Sequence, residues 1–432
     1  MMPTDLKTLT PERLLTIEKP IYGGAFLARD EGKAIFVPLT LPGEQARVRV
    51  VEDKRSHAIA EAEEIVTPSP DRIAPACQHF GACGGCNYQH ATYEAQLNYK
   101  QAILRETLER AKVAAPEQIE VLRGEPWAYR NRIRLAFDAN GNPGYRSRRS
   151  HAVVPIAECP IAAPLLVRAA LAAGALIREL APGARPAEVS FFCDRDASSL
   201  LAGFFASGTA TFPFEHVCGE LAAQLPQLAG AALIAEDSEG RPGRTVARWG
   251  AGSLTYKAAG FGYRVDHGAF FQVNRFLIDD FVDRVITGHS GTLAWDLFAG
   301  VGLFARKLAA SFTRVVAVES SPASTAALVQ NLTGTSASAV KLTTLDFLRR
   351  VPRGQHPDLI VLDPPRTGLD SGSAKLLTRI AAPSMIYVSC DPATLARDLR
   401  TLVDGGYAIE SLTLADLFPQ TFHLESIVRL LR

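Results

Sequence analysis

The pattern of apolar and polar positions changes character along the chain. Residues 11–68 carry short alternating stretches, such as Ala34-Ile35-Phe36-Val37-Pro38 and Ala46-Arg47-Val48-Arg49-Val50-Val51. These are broken at Gly23-Gly24, Gly32 and Pro42-Gly43. Many short strands with regular turn signals predict a small β-barrel. Pro68, Pro70 and Pro75 then read as a linker. Over residues 91–112 the period lengthens: Tyr93, Leu97, Leu104, Leu108 and Ala111 share one helical face. Residues 118–262 mix strand-like segments (133–137, 189–192) with an alanine- and leucine-rich helical segment at 163–180. From 263 onward strand and helix patterns alternate, with strands expected at 292–298, 314–318, 340–344, 359–362, 385–389 and 425–431. Such alternation implies a mainly parallel sheet with helices on both faces. The fold class expected is α/β: a Rossmann-like domain over 263–432, preceded by a small β-barrel (11–68) and a mixed α+β domain (69–262).

Composition narrows the partners. The 432 residues are 47% hydrophobic and 21% charged, with a formal net charge of +1. That is enough apolar material for more than one core, and no global field draws the chain to polyanions or membranes. No apolar run reaches the length of a membrane span, and the first ten residues lack the apolar core of a signal peptide. The expected location is the cytoplasm, with no membrane partner and a monomeric chain. Thiols stay reduced there, so the seven cysteines read as ligands, nucleophiles or core residues. Cys193 and Cys218 read as core.

Chemistry gathers at the strand ends of the last domain. Asp296-Leu297-Phe298-Ala299-Gly300-Val301-Gly302 follows an apolar strand and opens a helix, which lets backbone approach a nucleoside closely. One βα unit later Glu319 ends a strand, where an acid suits ribose hydroxyls. The bland alternative is a structural turn with Glu319 as a solvated cap. The loop lacks the three-glycine spacing of a dinucleotide fingerprint, which favours S-adenosylmethionine over NAD. Asp363 begins Asp363-Pro364-Pro365-Arg366 after another strand. Cys390, in Ser389-Cys390-Asp391-Pro392, follows the apolar run 385–388. A thiol there lies on the rim where open α/β sheets do chemistry, and a following helix N-terminus would favour its thiolate. Glu425 opens the last strand as a candidate base, with His423 as its competitor.

Cys77, Cys83 and Cys86 lie in Cys-x5-Cys-x2-Cys, and Cys159 lies in Glu158-Cys159-Pro160. Four thiolates can hold zinc or an iron–sulfur cluster. The spacing is not that of the radical enzymes. Between Arg123 and Arg149 seven arginines face two acids, Glu125 and Asp138, a local charge of +5. Tyr129 and Tyr145 are interleaved, and arginine with aromatics suits phosphate contact and base stacking in RNA. The candidate RNA contacts are Arg130, Arg132, Arg134, Arg146, Arg148 and Arg149; the bland alternative is a solvated hairpin.

Taken with Phe270-Phe271-Gln272-Val273-Asn274, Asp363-Pro364-Pro365-Arg366-Thr367-Gly368-Leu369 and Val388-Ser389-Cys390-Asp391-Pro392-Ala393-Thr394-Leu395, the cysteine set resembles that of the RNA uridine-5 methyltransferases. The form resembled most is the iron–sulfur, TRAM-domain type that modifies large-subunit ribosomal RNA. The resemblance runs over nearly the whole chain. It implies an N-terminal TRAM domain, a central domain with a 4Fe-4S cluster on Cys77, Cys83, Cys86 and Cys159, and a class I methyltransferase domain. It further implies Cys390 as nucleophile, Glu425 as proton-abstracting base, and Gln272, Phe298, Glu319, Asp346 and Asp363 as S-adenosylmethionine contacts. Phe298 stands where the family commonly has tyrosine and Leu303 where it commonly has a polar residue; these departures bear on one or two cofactor hydrogen bonds and not on the cofactor itself. The same reaction on tRNA, or RNA binding without catalysis, are the rival expectations.

Overall fold

A computed structural model describes residues 12–207, 212–236, 242–352 and 354–432. The polar N-terminal stretch and the first residue of the expected barrel lie outside these. The chain forms two compact units: Met1–Leu104 with Gln420–His423, and Arg105–Pro419 with Leu424–Arg432.

The first unit begins with β1 (Arg13–Pro20), β2 (Ala25–Asp30), β3 (Lys33–Pro38), β4 (Gln45–Asp53) and β5 (His57–Thr67). They close into a barrel in the order β1-β2-β3-β5-β4, which leaves no open edge. Alternation along β1 and β4 sends Leu15, Ile17, Ala46 and Val48 into a core shared with Phe26, Ile35, Tyr88 and Tyr99. The proline-rich stretch is bound to this barrel rather than free. The buried carboxylate of Glu44 accepts from Leu41 N–H (2.7 Å) and Ser69 N–H (3.2 Å) and pairs with Arg72 (2.5 Å). The boundary expected at 68/69 therefore falls inside this unit, which also holds the cysteine loop and most of α1 (Tyr93–Arg110).

The second unit contains two large sheets. It opens with β6 (Glu120–Leu122), then β7 (Arg132–Phe137), β8 (Pro143–Arg146), β9 (Val153–Pro155), α2 (Pro164–Arg178), β10 (Glu188–Cys193), β11 (Leu200–Ser207), α3 (Phe214–Gln224), β12 (Leu228–Glu236) and β13 (Pro242–Gly250). Strands β7–β13 form a seven-stranded sheet in the order β13-β12-β11-β10-β7-β8-β9. The buried faces of α2 and α3 (Leu166, Ala170, Ile177, Val217, Leu221) share a core with Val189, Phe191 and Phe204, and Cys193 and Cys218 lie in it, fully buried. A two-stranded ribbon, β14 (Ser253–Ala258) with β15 (Phe261–Asp266), precedes α4 (Ile278–Ile286).

The remaining elements alternate as the pattern implies: β16 (Gly291–Leu297), α5 (Leu303–Leu308), β17 (Phe312–Glu319), α6 (Pro322–Asn331), β18 (Ala337–Lys341), α7 (Thr344–Arg350), β19 (Leu359–Leu362), α8 (Ser371–Ile380), β20 (Ser384–Ser389), α9 (Pro392–Asp404), β21 (Ala408–Ala415) and β22 (Glu425–Leu431). The sheet order is β18-β17-β16-β19-β20-β22-β21-β6, parallel from β18 to β20, with β22 antiparallel to both neighbours. Two details depart from the sequence pattern. The strand expected at 340–344 ends at Lys341, because Thr343 caps α7 by accepting from Asp346 N–H. Residues 120–122 join the edge of this sheet beside β21, a pairing too short to leave a periodic signal. Among the described residues no helix is long and apolar enough to cross a membrane.

Candidate active site

Strand register assembles one row of side chains. Parallel pairing sets Leu297 against both Val318 and Leu362, and Leu362 against Tyr387. The next residue on each strand, Phe298, Glu319 and Asp363, therefore lies at the same carboxyl rim. Antiparallel pairing sets Ser389 against Ser426. Continued by one residue, that register brings Cys390 opposite Glu425, and opposed residues on neighbouring strands face the same way. Cys390 is half-buried and Glu425 is buried.

The electrostatics of this row agree with its register. Burial pushes the Cys390 thiol up to about 12; Glu425 and Asp363 push the same way, and Arg366 opposes them. Burial raises Glu425 well above the carboxylate range, Asp363 adds to it, and Arg366 again opposes. Burial lifts Asp363 to about 7. The thiolate expected from a helix N-terminus is not what the local backbone provides. The first amides of α9, on Ala393 and Thr394, donate to the Asp391 carboxylate (3.1 and 2.9 Å), so their partial charge is spent on that cap. The cation near the thiol is Arg366.

The glycine loop is built from strained but satisfied backbone. Phe298, Gly300 and Gly302 all have positive φ (65°, 55° and 92°). The turn aims Gly300 N–H at Glu319 Oε2 (2.8 Å), while Ser321 N–H donates to Oε1 (2.6 Å). A Cβ on Gly302 would sit 2.8 Å from Leu328 Cδ1, so this position is closed to side chains on two grounds. Beside the loop lies a cavity of about 110 Å³, lined by Phe298, Val318, Glu319, Ser320, Leu342, Thr343, Leu345 and Asp370 among others. Asp346 does not line the cavity but follows the lining residue Leu345 and makes a reciprocal cap with Thr343, accepting from Thr343 Oγ1 (2.8 Å) while its N–H donates back (3.1 Å). Gln272 is buried, and its carbonyl accepts from Asn131 Nδ2 (2.9 Å), which fixes the 270–274 segment from the mixed sheet.

Two residues of this centre were quoted in the sequence motifs without a role. Asp296 is fully buried on β16; one carboxylate oxygen accepts from Ala305 N–H (2.8 Å) and the other has no partner. Burial raises it to about 8, with Asp363 and Glu319 adding to the effect against the Ala305 amide. An acid that ends an apolar run just before a glycine turn was the available signal. Arg366 is the countercharge to Cys390 and Glu425, and its signal was a cation straight after a strand-end acid.

The other candidates fall elsewhere. Cys77, Cys83 and Cys86 belong to the first unit and Cys159 to the second. None of the seven cysteines is in a disulfide. Gly85 N–H points at Cys83 Sγ (3.4 Å) and Tyr145 Oη–H at Cys159 Sγ (3.7 Å). Among the described residues no three His, Cys, Asp or Glu side chains gather as a metal-holding group. The arginines differ in what occupies them. Arg132 lies over the Phe192 ring (4.3 Å) and donates to Ala269 O (2.8 Å), and burial lowers it to about 10. Arg134 and Arg146 both pair with Glu188 (2.5 and 3.2 Å). Arg130 stacks on Tyr129, Arg148 is half-buried and Arg149 is exposed.

The chain is similar to known proteins. Residues 355–432 match the tRNA (Uracil-5-)-methyltransferase family and residues 11–62 match the TRAM domain. The chain is 34% identical to the 23S rRNA (uracil(1939)-C(5))-methyltransferase RlmD of Chromohalobacter salexigens, across 97% of this chain and 89% of that one. It is 33% identical to the protein of the same name from Klebsiella pneumoniae, across 94% and 92%. The crystal structure of Pyrococcus abyssi tRNA (uracil-54, C5)-methyltransferase in complex with S-adenosyl-L-homocysteine superposes with a TM-score of 0.80 over 96% of this chain and 99% of that one. At 23% identity that likeness speaks to the fold.

Proposed function

The chain belongs to the RNA uracil-C5 methyltransferase family, and from that premise we propose that it methylates C5 of a uridine in 23S ribosomal RNA, with Cys390 as nucleophile and Glu425 as base. The observation that carries the reading is the opposed register of Cys390 and Glu425 beside Asp363 and Arg366. Relatives named for 23S rRNA at 33–34% identity over nearly the full length favour ribosomal RNA over tRNA.

The glycine loop and its cavity fit S-adenosylmethionine. Positive φ at Gly300 and Gly302 lets backbone lie against a nucleoside, Glu319 suits ribose hydroxyls, and the unpartnered oxygen of buried Asp296 suits a cationic or hydrogen-bonding group. Gln272, Phe298, Glu319, Asp346 and Asp363 would hold it. When bound, the cofactor supplies an electrophilic methyl group on a sulfonium.

Uracil C5 is a weak nucleophile. The Cys390 thiol gives up its proton to solvent, and the thiolate then adds to C6, forming the S–C6 bond and pushing the C5–C6 π electrons toward C5 and the C4 carbonyl, so that C5 becomes carbanion-like. The base must leave its stack to reach this rim. Once C5 carries the methyl group, Glu425 takes the C5 proton; that electron pair restores the C5–C6 double bond and the S–C6 bond breaks. Arg366 favours the charged forms of both Cys390 and Glu425. Burial favours the protonated form of both the Cys390 thiol and the Glu425 carboxyl at rest, so each ionises before it acts.

An iron–sulfur cluster on Cys77, Cys83, Cys86 and Cys159 extends this reading. It is supported by donor chemistry: three thiols on one glycine-rich loop, with an N–H and an O–H aimed at sulfur as iron-bound thiolates accept them. A structural or RNA-orienting role suits it, and no step above is routed through it. The barrel and the exposed arginines of the 130–149 stretch would meet the RNA backbone.

The deciding experiment is incubation with RNA containing 5-fluorouridine. A covalent protein–RNA band is expected from the wild type and none from Cys390→Ala. A wild-type rate of methyl transfer by Cys390→Ala overturns the mechanism.

A further inference from the structure

The turn that leads into β22 is built into the other compact unit. Gln420–His423 belongs with residues 1–104, whereas Pro419 and Leu424 belong with the second unit. Its bonds are made over more than 300 residues of sequence. Gln420 C=O accepts from Asn87 N–H (2.9 Å) and Tyr88 N–H (3.0 Å). Gln420 N–H donates to Gln96 Oε1 (2.9 Å), and Gln96 Nε2 donates back to Gln420 Oε1 (3.0 Å) and to Ala91 O (2.9 Å). Phe422 N–H reaches Asn87 Oδ1 (3.4 Å), and the Phe422 ring meets Tyr22 edge-on at 5.5 Å.

Three observations mark this as a made contact. Gln96 and Gln420 are buried, at 1% and 3% exposure, so each unmade bond there would leave a polar group stranded. Gln420 holds φ at 69°, a left-handed conformation that a glutamine keeps only where its surroundings impose it. A Cβ on Gly24, in the turn between β1 and β2, would lie 2.9 Å from Asn87 Cγ, so the barrel leaves room for this asparagine. Helix α1, the cysteine loop and a barrel turn thus converge on four residues, and Glu425 follows the last of them by two positions.

We propose that Asn87, Gln96 and Gln420 are positioning residues for proton abstraction: they fix the start of β22 and so aim the Glu425 carboxylate at C5. This rests on Glu425 being the base. Formation of the S–C6 bond depends on Cys390, which the β20–α9 junction carries. Loss of the C5 proton to Glu425, with departure of the Cys390 thiolate, needs that carboxylate aimed at C5, whereas the attack of Cys390 feels the start of β22 only through the Glu425 charge beside the thiol. Loosening the anchor therefore slows that step selectively, and the methylated RNA stays bonded to the protein.

The test uses an unmodified 23S rRNA fragment with ordinary uridine. Methyl transfer and the covalent protein–RNA band are followed in the wild type, Glu425→Gln, Gln96→Ala and Gln420→Gly. Glycine adopts the left-handed φ freely, so the last variant removes the side-chain partner while easing the backbone, which guards against loss of fold. The expected result for both anchor variants is a methylated adduct that accumulates and decays roughly 10- to 100-fold more slowly than in the wild type. Formation of the adduct should stay within about threefold of wild type. An adduct from Glu425→Gln with none from either folded anchor variant overturns the anchor. Equal slowing of adduct formation and decay overturns it too, because that is what a merely structural role would produce. Absence of an adduct from Glu425→Gln overturns the base assignment itself, and the anchor with it.

Discussion

The state of the Cys390 thiol can be measured without any RNA. Burial, Glu425 and Asp363 push it up to about 12, against Arg366. At pH 8 that leaves about one thiolate in ten thousand, where an ordinary thiol near 8.5 holds roughly a quarter. Alkylation of Cys390 by iodoacetamide, read peptide by peptide by mass spectrometry, should be roughly a thousandfold slower than for a model thiol at that pH. Its rate should climb about tenfold per pH unit through pH 10 without levelling. Two substitutions separate burial from charge. Asp363 is raised only to about 7, so at pH 9 it is ionised and works against the thiolate. Asp363→Asn removes that charge, lowers the thiol and should speed alkylation about tenfold or more at pH 9. At pH 6, where Asp363 is mostly protonated, the same substitution should change little. Arg366→Ala removes the favouring charge and should slow alkylation. A wild-type profile that levels near pH 8.5, or an Asp363→Asn rate equal to wild type at pH 9, would refute the reasoning.

Other outcomes follow from the same residues. Asp296 is raised in the folded chain to about 8 from an ordinary carboxylate value, so it costs stability as pH rises from about 4 to 8. Asp296→Asn should therefore raise the melting temperature at pH 8 and leave it nearly unchanged at pH 4.5, as read by thermal denaturation at both pH values. Gly302→Ala forces a side chain into positive φ and onto Leu328, and should destabilise the protein by about 1–3 kcal/mol in urea denaturation. Cys83→Ala should abolish bound iron and sulfide in anaerobically purified protein, while stoichiometric zinc in the wild type would overturn the cluster reading.

Much of the last domain was legible because its strands are short apolar runs bounded by chemistry. The runs at 359–362 and 425–431 became strands with those limits, and 292–298, 314–318 and 385–389 did so within one or two residues. Strand ends in a parallel sheet share a rim, so locating Phe298, Glu319, Asp363 and Cys390 at strand ends already brought them together. The helix at 91–112 and the core cysteines Cys193 and Cys218 were legible for the same reason: periodicity and burial follow from local composition.

What the sequence alone determined, then, was which residues end strands and which chemistry they bring. Tertiary structure decided their protonation and their support, because both depend on neighbours that sequence distance conceals. Burial beside Glu425 and Asp363 overrode the helix N-terminus that promised a thiolate at Cys390. Glu188 took up Arg134 and Arg146, and Phe192 took up Arg132, from a run that read as one open basic patch. Gln96 found Gln420 across 324 residues, a pairing with no periodicity to announce it, because a buried amide takes whichever partner the folded chain brings within reach.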